Sequence, residues 1–280
     1  MVTNRGPQSY NEVLTDAVAD ISANGFDSAQ RIQYWQQKLR EAAERSMLSM
    51  TQMEQQLREA MAAIYKRMVD NGGAVKFHQG VARFTIDRLR PQLHADLQRR
   101  IMMSADLIKL NRQQAIDKTL QRFSGWASSV PPGGTKTTDK VKQKQDIKKS
   151  LGQLPFEERR VIIDQGHKLT ASINETIARG GAAIAIIWHS HFRQPGYDFR
   201  PDHKERDGHV YLLKGSWAQA DGLIKPGPDG YYEDITSVAE EPFCRCWATY
   251  LYNLRDLPAD MLTKKGGMAL AAARKRIAEL

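Results

Sequence analysis

The sequence predicts an α+β protein: an elongated helical N-terminal region with long antiparallel helices, then a small irregular α+β C-terminal domain. Three observations lead to this prediction. Apolar residues recur every three or four positions before residue 124, a Pro-, Gly- and Lys-rich stretch follows, and short apolar runs between Gly- and Pro-rich loops begin at Ala182. We therefore expect a helical region over 1–123, a basic flexible linker over 124–150, and a helix plus a loop-rich α+β domain over 151–280.

The first predicted helices lie before a glycine pair. A short helix is expected around Tyr10 to Ile21. A longer one should run from Ser28 to Val69, a span without Gly or Pro in which apolar residues keep the amphipathic spacing. Asn71-Gly72-Gly73 should end it, because these residues tolerate left-handed backbone. The spacing also resembles a coiled-coil seam, so both an intramolecular hairpin and a dimer fit.

A second helical pattern follows the two glycines, with an apolar stripe from Leu93 to Phe123. Pro91 lies inside it and should kink or restart the helix. The simplest arrangement is two antiparallel long helices joined at Asn71-Gly73. The opposite face fits either a solvated surface or a nucleic-acid contact, since it carries the basic residues Arg99, Arg100, Lys109, Arg112, Lys118 and Arg122.

Composition changes over residues 124–150, which combine Ser, Pro and Gly with a lysine-rich run. Such a segment cannot bury enough apolar surface to fold alone, so we expect an exposed basic arm. Its predicted role is contact with DNA or with an acidic partner surface, through Lys136, Lys140, Lys142, Lys144, Lys148 and Lys149. Helix should return at Pro155, which suits a first-turn position, and end at Gly180-Gly181.

The last third of the chain predicts short strands and long loops. Ala182 to Trp188 is expected to form a short buried strand, and Val210 to Leu213 is a second candidate. Phe243 to Tyr252 fits either a strand or the entry to a terminal helix. The basic tail, Lys264 to Leu280, predicts a helix.

Charge and hydropathy narrow the function classes. The chain has 41 Lys and Arg against 32 acidic residues, a net charge of +9 that favours an anionic partner such as nucleic acid. Its longest apolar run, Ala182 to Trp188, is far below the roughly 18 residues that span a bilayer, and we expect neither membrane insertion nor classical export. Only two cysteines occur, one residue apart, which fits a reducing compartment.

Histidines and both cysteines concentrate in the C-terminal region. Two thiolates and one or two imidazoles are the ligands of a tetrahedral zinc site. We expect His203, Cys244 and Cys246 to lie together, with His209 as the fourth ligand because His203 and His209 flank a turn at Asp207-Gly208. A shared hydrogen-bonded cluster with reduced thiols is the metal-free alternative. Two other residues are substitutes for the fourth ligand: His191 and Glu241.

The sequence lacks the common catalytic motifs that would indicate an enzyme. The chain contains no Gly-x-Ser-x-Gly elbow, no phosphate-binding Gly-rich loop ending in Lys-Ser/Thr, and no His-Glu-x-x-His helix. His189-Ser190-His191 suggests a metallo-hydrolase but lacks carboxylates at the spacing such an enzyme uses. We therefore predict no enzymatic activity.

An ordered series of residues lies within roughly Ile162 to Tyr252. The series comprises Trp188, Asp198-x-Arg200-Pro201-x-His203, Gly208, Val210-Tyr211 and Pro242-x-Cys244-Arg245-Cys246. It resembles the C-terminal signature of the phage head morphogenesis family, the minor head proteins related to the F protein of phage Mu. Some relatives place Cys where His203 stands, and many carry a His three residues before the first Cys, where this chain has Glu241.

The resemblance implies a structural protein of a tailed-phage head. Such a protein is built into the procapsid in few copies beside the portal, with the portal protein and the major capsid protein as partners. It also implies proximity to DNA during packaging and ejection, and a location in the virion head after assembly in the host cytoplasm. Two other readings stay open: a metal-dependent nuclease or hydrolase using the His/Cys region, and a nucleic-acid-binding module.

Overall fold

A computed structural model describes residues 7–279. It confirms the α+β class, with long helices in the N-terminal part and a small antiparallel sheet in the C-terminal region. The described chain forms two compact units. The first unit contains the chain up to Leu57 together with Met102–Ile162, and the second unit contains Arg58–Ile101 together with the chain from Ile163. The units therefore divide within helices, and not at the predicted 124–150 boundary.

The first unit begins with two capped helices. Helix α1 (Tyr10–Asn24) starts with a capping box, in which the Ser9 hydroxyl and the Glu12 carboxylate each accept from the other residue's backbone N–H. Helix α2 (Ala29–Ser46) is capped by the Ser28 hydroxyl. Their apolar faces join those of later helices in one core, which includes Leu14, Ile21, Leu39, Phe123 and Ile147.

The predicted helix over residues 28–69 is broken once before the glycines. Helix α2 ends at Ser46, and the next residue, Met47, has extended backbone. Helix α3 (Met50–Tyr65) begins after Ser49. Ser49 Oγ accepts from the Gln52 N–H at 3.2 Å, while Gln52 Oε1 accepts from the Ser49 N–H at 3.1 Å. This reciprocal capping box restarts the helix without Gly or Pro, which is why counting breakers missed it.

We expect Ser49→Ala to destabilise the first unit by about 1 kcal/mol, because the Gln52 N–H at the start of α3 loses the hydroxyl that accepts from it. Urea unfolding followed by tryptophan fluorescence measures the change. Ser46→Ala is the matched control, because the Ser46 hydroxyl only donates back to the Ala43 carbonyl within α2. Equal effects of the two substitutions would show that the cap does not stabilise α3.

The second unit contains the predicted turn at Asn71-Gly73. Helix α3 continues into a π-helical turn, Lys66–Asp70, and Gly72 adopts left-handed backbone with φ 70° before the 3₁₀ turn Gly73–Phe77. Helix α4 (Arg83–Ala127) returns antiparallel to α3: Arg90 pairs with Asp70 at 2.6 Å and Arg58 donates to Gln98 at 3.3 Å. The predicted antiparallel hairpin is confirmed.

Two prolines lie inside helices, where the sequence predicted interruptions. Helix α4 runs through Pro91 without restarting. Helix α5 (Lys140–Gly180) runs through Pro155, which therefore is not a first-turn residue. Each proline removes one backbone hydrogen bond, but the buried side chains on both sides keep the helix continuous: Ile86, Leu93, Leu97, Ile147, Leu154 and Val161.

The predicted flexible linker over 124–150 is mostly helical. Helix α4 extends to Ala127, and α5 already begins at Lys140, where Asp139 Oδ1 accepts from the N–H groups of Val141 and Lys142 at 3.0 and 3.1 Å. Ile147 is fully buried and packs in the first unit's core, so this part of α5 belongs to that unit. Only the loop between the two helices lacks regular structure.

The lysine-rich segment from Lys140 onward is correspondingly part of α5 and not a free arm, while Lys136 lies in the loop before it. Lys144 Nζ lies 3.3 Å from Thr15 Oγ1, and Lys148 Nζ lies 3.3 Å from Asn11 Oδ1. Both residues contact α1 within the first unit. Contact with DNA or an acidic partner stays a prediction for the lysines that are solvent-exposed: Lys136, Lys140, Lys142 and Lys149.

The C-terminal sheet has the order β2-β1-β3 and is entirely antiparallel. Strands β1 (Ala185–His189), β2 (Val210–Leu212) and β3 (Trp247–Leu251) match the three predicted segments, and the third is a strand and not a helix entry. One face packs on a core around Trp188 and Tyr250, the other on a core around Leu212 and Met261.

Shorter elements complete the second unit. Helices α6 (Pro201–Glu205) and α7 (Trp217–Ala220) lie between the strands, and α8 (Lys264–Ala278) follows β3 as predicted. Among residues 7–279, no helix is both long and apolar enough to cross a membrane.

Candidate metal centre

The predicted His/Cys constellation assembles between α6 and the segment that enters β3. Pro201 begins α6, where its fixed φ suits the first helical turn, and this turn presents His203. Cys244 and Cys246 lie just before β3. All three side chains are buried, with 2%, 1% and 4% of their surface exposed. They can hold a metal ion: their ligand atoms lie within 4.8 Å of one another.

The distances confirm the prediction that these three residues meet despite forty intervening positions. His203 Nδ1 lies 3.5 Å from Cys244 Sγ and 3.5 Å from Cys246 Sγ. Both thiols are free. A single ring nitrogen therefore faces both sulfurs, which is the arrangement of three ligands around one position.

The other ring nitrogen of His203 faces a carboxylate. Glu241 Oε2 lies 3.3 Å from His203 Nε2, and the same oxygen pairs with Arg200 Nε at 2.5 Å. Trp188 packs edge-on against the imidazole with a centroid separation of 5.4 Å. The carboxylate therefore lies at contact distance from the second nitrogen, but neither His203 Nε2 nor Glu241 Oε2 forms a hydrogen bond within residues 7–279.

The cysteine segment has an unusual backbone conformation that neighbouring polar groups stabilise. Phe243 has φ 62°, in the left-handed region that disfavours a bulky side chain. Its N–H donates to Asp164 Oδ1 on α5 at 2.6 Å, and Asp164 also pairs with Lys168 at 3.3 Å. The Tyr197 hydroxyl accepts from the Arg245 N–H at 3.1 Å. These contacts fix the direction of both thiols.

Asp164 and Tyr197 are site residues that the sequence did not predict. Tyr197 lies next to the matched motif, but nothing in the sequence connects its hydroxyl with the Arg245 backbone. Asp164 lies about 80 residues before the cysteines, in a helix whose sequence gives no signal for this contact. Only the tertiary structure brings these groups together.

The two thiols differ in acidity because they share one proton. A hydrogen bond from the Cys246 thiol lowers the pKa of Cys244 to about 5. The same hydrogen bond, together with burial and the charge on Cys244, raises the pKa of Cys246. Without a cation the centre therefore favours one thiolate and one thiol, and a bound cation would stabilise the second thiolate as well.

His209, the predicted fourth ligand, does not join the centre. Its side chain is half exposed, and its Nδ1 lies 2.7 Å from Asp229 Oδ1. The turn at Gly208 explains this, because the Gly208 N–H donates to the Trp188 carbonyl and the Trp188 N–H donates to the His209 carbonyl, which commits the backbone of His209 to β1. His209 is close to His203 in the sequence, but its side chain lies outside the group of His203, Cys244 and Cys246.

The two substitutes for the fourth ligand also lie outside the group of three. Glu241 contacts the far nitrogen of His203, as an outer partner of a ligand. His191 packs edge-on against Tyr197 at 6.0 Å. His189 instead stacks on Trp247 and lies 2.9 Å from Thr249 Oγ1. Among the described residues, the group that could hold a metal ion therefore consists of His203, Cys244 and Cys246.

The residues of the ordered series surround this centre. Trp188 packs on His203, Arg200 pairs with Glu241 and donates to the Pro242 carbonyl at 3.0 Å, and Gly208 closes the turn to β1. The series thus describes one local structure in the second unit. No family model, curated protein or solved structure matches the chain.

Proposed function

We propose that this chain is a structural minor head protein of a tailed bacteriophage, which associates with the portal and the inner capsid during head assembly and lies near packaged DNA. The observation that carries the proposal is the convergence of the resembling residues. Trp188, Arg200, His203, Cys244 and Cys246 lie far apart in sequence, yet each contacts another member of the series or its ligand partner Glu241. A series that builds one centre supports the resemblance as a whole.

The burial of the centre favours a structural role over the nuclease or hydrolase alternative. A catalytic metal keeps an open position that substrate reaches, whereas a structural metal cross-links loops. Three protein ligands would leave the fourth position to water, so burial and not ligand number separates the two readings here. The three candidate ligand side chains are at least 96% buried, and His203 is the one buried residue of α6.

We further propose that the ion is zinc. Sulfur and nitrogen ligands at about 2.3 and 2.0–2.1 Å around a tetrahedral ion lie roughly 3.5 Å from each other. The His203 nitrogen lies 3.5 Å from each sulfur, so both nitrogen–sulfur spacings fit a tetrahedral zinc ion. Zinc would cross-link α6 to the β3 entry, and Glu241 would orient His203 through its second nitrogen.

Particle composition tests the head-protein proposal. Heads purified from cells that produce the phage encoding this chain should contain it in few copies, and imaging of those heads should locate it beside the portal. The matched comparison is heads produced without the chain's gene. Absence of the chain from purified heads, with the protein recovered only outside particles, would contradict the proposal.

Metal and nuclease assays separate the structural reading from the enzymatic one. The purified chain should contain zinc in stoichiometric amount and should not cleave DNA with added Mg²⁺, Mn²⁺ or Zn²⁺. Cleavage that the His203→Ala substitution abolishes would support the nuclease reading instead. Because particle composition and zinc content are independent readouts, either proposal can fail while the other stands.

A further inference from the structure

The outer edge of β3 borders a cleft of about 470 Å³. Strand β1 pairs with β3 on one side, and no described strand pairs with it on the other. The cleft is lined along one wall by Ala248 to Asn253 and along the other by Lys76, Phe77, Gln79 and Gly80, all within the second unit. Arg255 and Asp256, which pair with each other at 3.3 Å, complete the lining. Alternate residues of an antiparallel strand turn their N–H and C=O groups away from the paired neighbour, so this edge offers unpaired backbone groups to the cleft.

The opposite edge of the sheet, along β2, is covered, unlike the outer edge of β3. The Leu212 N–H of β2 donates to the Gly230 carbonyl at 3.1 Å, and Leu212 forms a bridge with Tyr231. Natural sheets usually cover, charge or shorten an exposed edge. β3 has five residues, as long as the central strand β1, and its outer edge carries neither a bridge nor a proline.

The second wall of the cleft has a defined position. His78 is completely buried, its Nδ1 lies 2.6 Å from the Tyr252 hydroxyl, and its Nε2 lies 3.2 Å from Asn174 Oδ1. These contacts attach the Gly73–Phe77 turn beside β3. They leave Phe77 52% exposed and Lys76 exposed at the cleft. None of the ion pairs formed within residues 7–279 involves Lys76.

We propose that this cleft binds an extended peptide of a partner protein, which adds to β3 as a fourth strand. The chemistry of the walls defines the peptide. Its backbone would pair with β3, an apolar or aromatic side chain would cover Phe77, and a carboxylate would pair with Lys76. Five residues in extended form cover about 17 Å, which matches the length of β3. A single strand suits a cleft with a wall on its far side, whereas the β3 of a second copy would bring its own wall into the same space.

A peptide selection tests the proposal with the intact chain. A displayed library of random heptapeptides should yield a family with apolar residues at alternate positions and one acidic residue. The best peptide, made synthetically with a fluorophore, should bind the chain in an anisotropy titration. Phe77→Ala should weaken binding about tenfold, because it removes an aromatic anchor. Phe84→Ala is the matched control, since Phe84 is 75% exposed in the same unit and does not line the cleft.

Backbone and charge substitutions identify the binding mode. N-methylation of the peptide at alternate residues should weaken binding about tenfold or more in one register and little in the other, because only one edge of the peptide faces β3. Lys76→Glu should weaken binding of the acidic peptide. A peptide with Lys in place of the acidic residue should bind this variant with recovered affinity. Hydrogen exchange at Trp247 to Leu251 should slow when the peptide binds.

Three outcomes would overturn the proposal. One is the failure to enrich any peptide family on the wild-type chain relative to Phe77→Ala. Another is a peptide whose affinity is insensitive to N-methylation in both registers. The last is a chain that self-associates in solution and becomes monomeric on Phe77→Ala substitution, which would identify a second copy as the occupant of the cleft.

Discussion

Replacement of Cys244 or Cys246 by serine is expected to abolish zinc binding and to open the sheet and loops around the centre, while the first unit stays folded. Serine is a poor zinc ligand and its hydroxyl stays protonated, so the variant loses the cross-link between α6 and the β3 entry. The loss should be about 4 kcal/mol or more for the affected region. Hydrogen exchange resolved by segment should show it in β1, β2 and β3, with α1 and α2 protected as in the wild type.

His203→Ala and His209→Ala form a matched pair for the same centre. Both remove one imidazole, and the two residues are six positions apart, but only His203 faces the sulfurs. His203→Ala should lose zinc, and His209→Ala should retain it. Zinc retained by Cys244→Ser, or lost equally in both histidine variants, would contradict the assignment of the ligands.

Arg112→Ala is expected to destabilise the first unit by about 1.5–3 kcal/mol, because it removes a buried guanidinium that pairs with the partly buried Glu158 and donates to the Leu48 carbonyl. Arg112 was predicted on an exposed basic face of α4, but only 7% of it is exposed. Its Nε pairs with Glu158 Oε1 at 2.5 Å, and its Nη1 donates to the Leu48 carbonyl at 2.7 Å. It therefore connects α4 and α5 to the break between α2 and α3. Urea unfolding followed by the fluorescence of Trp35 and Trp126, which pack on this core, measures the effect.

Arg40→Ala provides the control for this substitution. Arg40 pairs with Asp117 at 2.9 Å, but both side chains are more than a third exposed. Surface pairs of this kind contribute about 0.2–1 kcal/mol. The double substitution Arg112→Met with Glu158→Leu should lose less than Arg112→Ala, because it also removes the partly buried carboxylate that would otherwise stay unpaired. Similar losses for Arg112→Ala and Arg40→Ala would show that burial adds nothing to the Arg112 pair.

Periodicity and local signals predicted most of the fold. The three-and-four spacing predicted the span of α2 and α3, as one helix, and the span of α4. The short apolar runs predicted β1 and β2, while the segment of β3 fitted either a strand or a helix entry. The starts of α3 and α5 were also accessible, because Ser49 with Gln52 is a capping box and Asp139 is a suitable N-cap. Pro155 and the lysine run instead predicted a linker where α5 begins, and this prediction did not use the caps.

The candidate site was only partly accessible from sequence, for a different reason. Residue chemistry selected His203, Cys244 and Cys246, since thiols and imidazoles have few other reasons to concentrate in loops. The directions of side chains are tertiary properties. His209 points to Asp229, Glu241 points to the far nitrogen of His203, and Asp164 approaches from α5, and no local pattern encodes these directions.

The strand order β2-β1-β3 has a consequence for synthesis on the ribosome. The central strand β1 emerges first, β2 can pair with it after about 20 more residues, and β3 only after roughly 60. At about 5–20 residues per second, one edge of the most apolar strand stays open for several seconds. Cys244 and Cys246 immediately precede β3, so at the proposed zinc centre ion capture and closure of that edge would be one event. If the chain binds zinc there, zinc supply during translation should set how much nascent chain aggregates, independently of the stability of the finished protein.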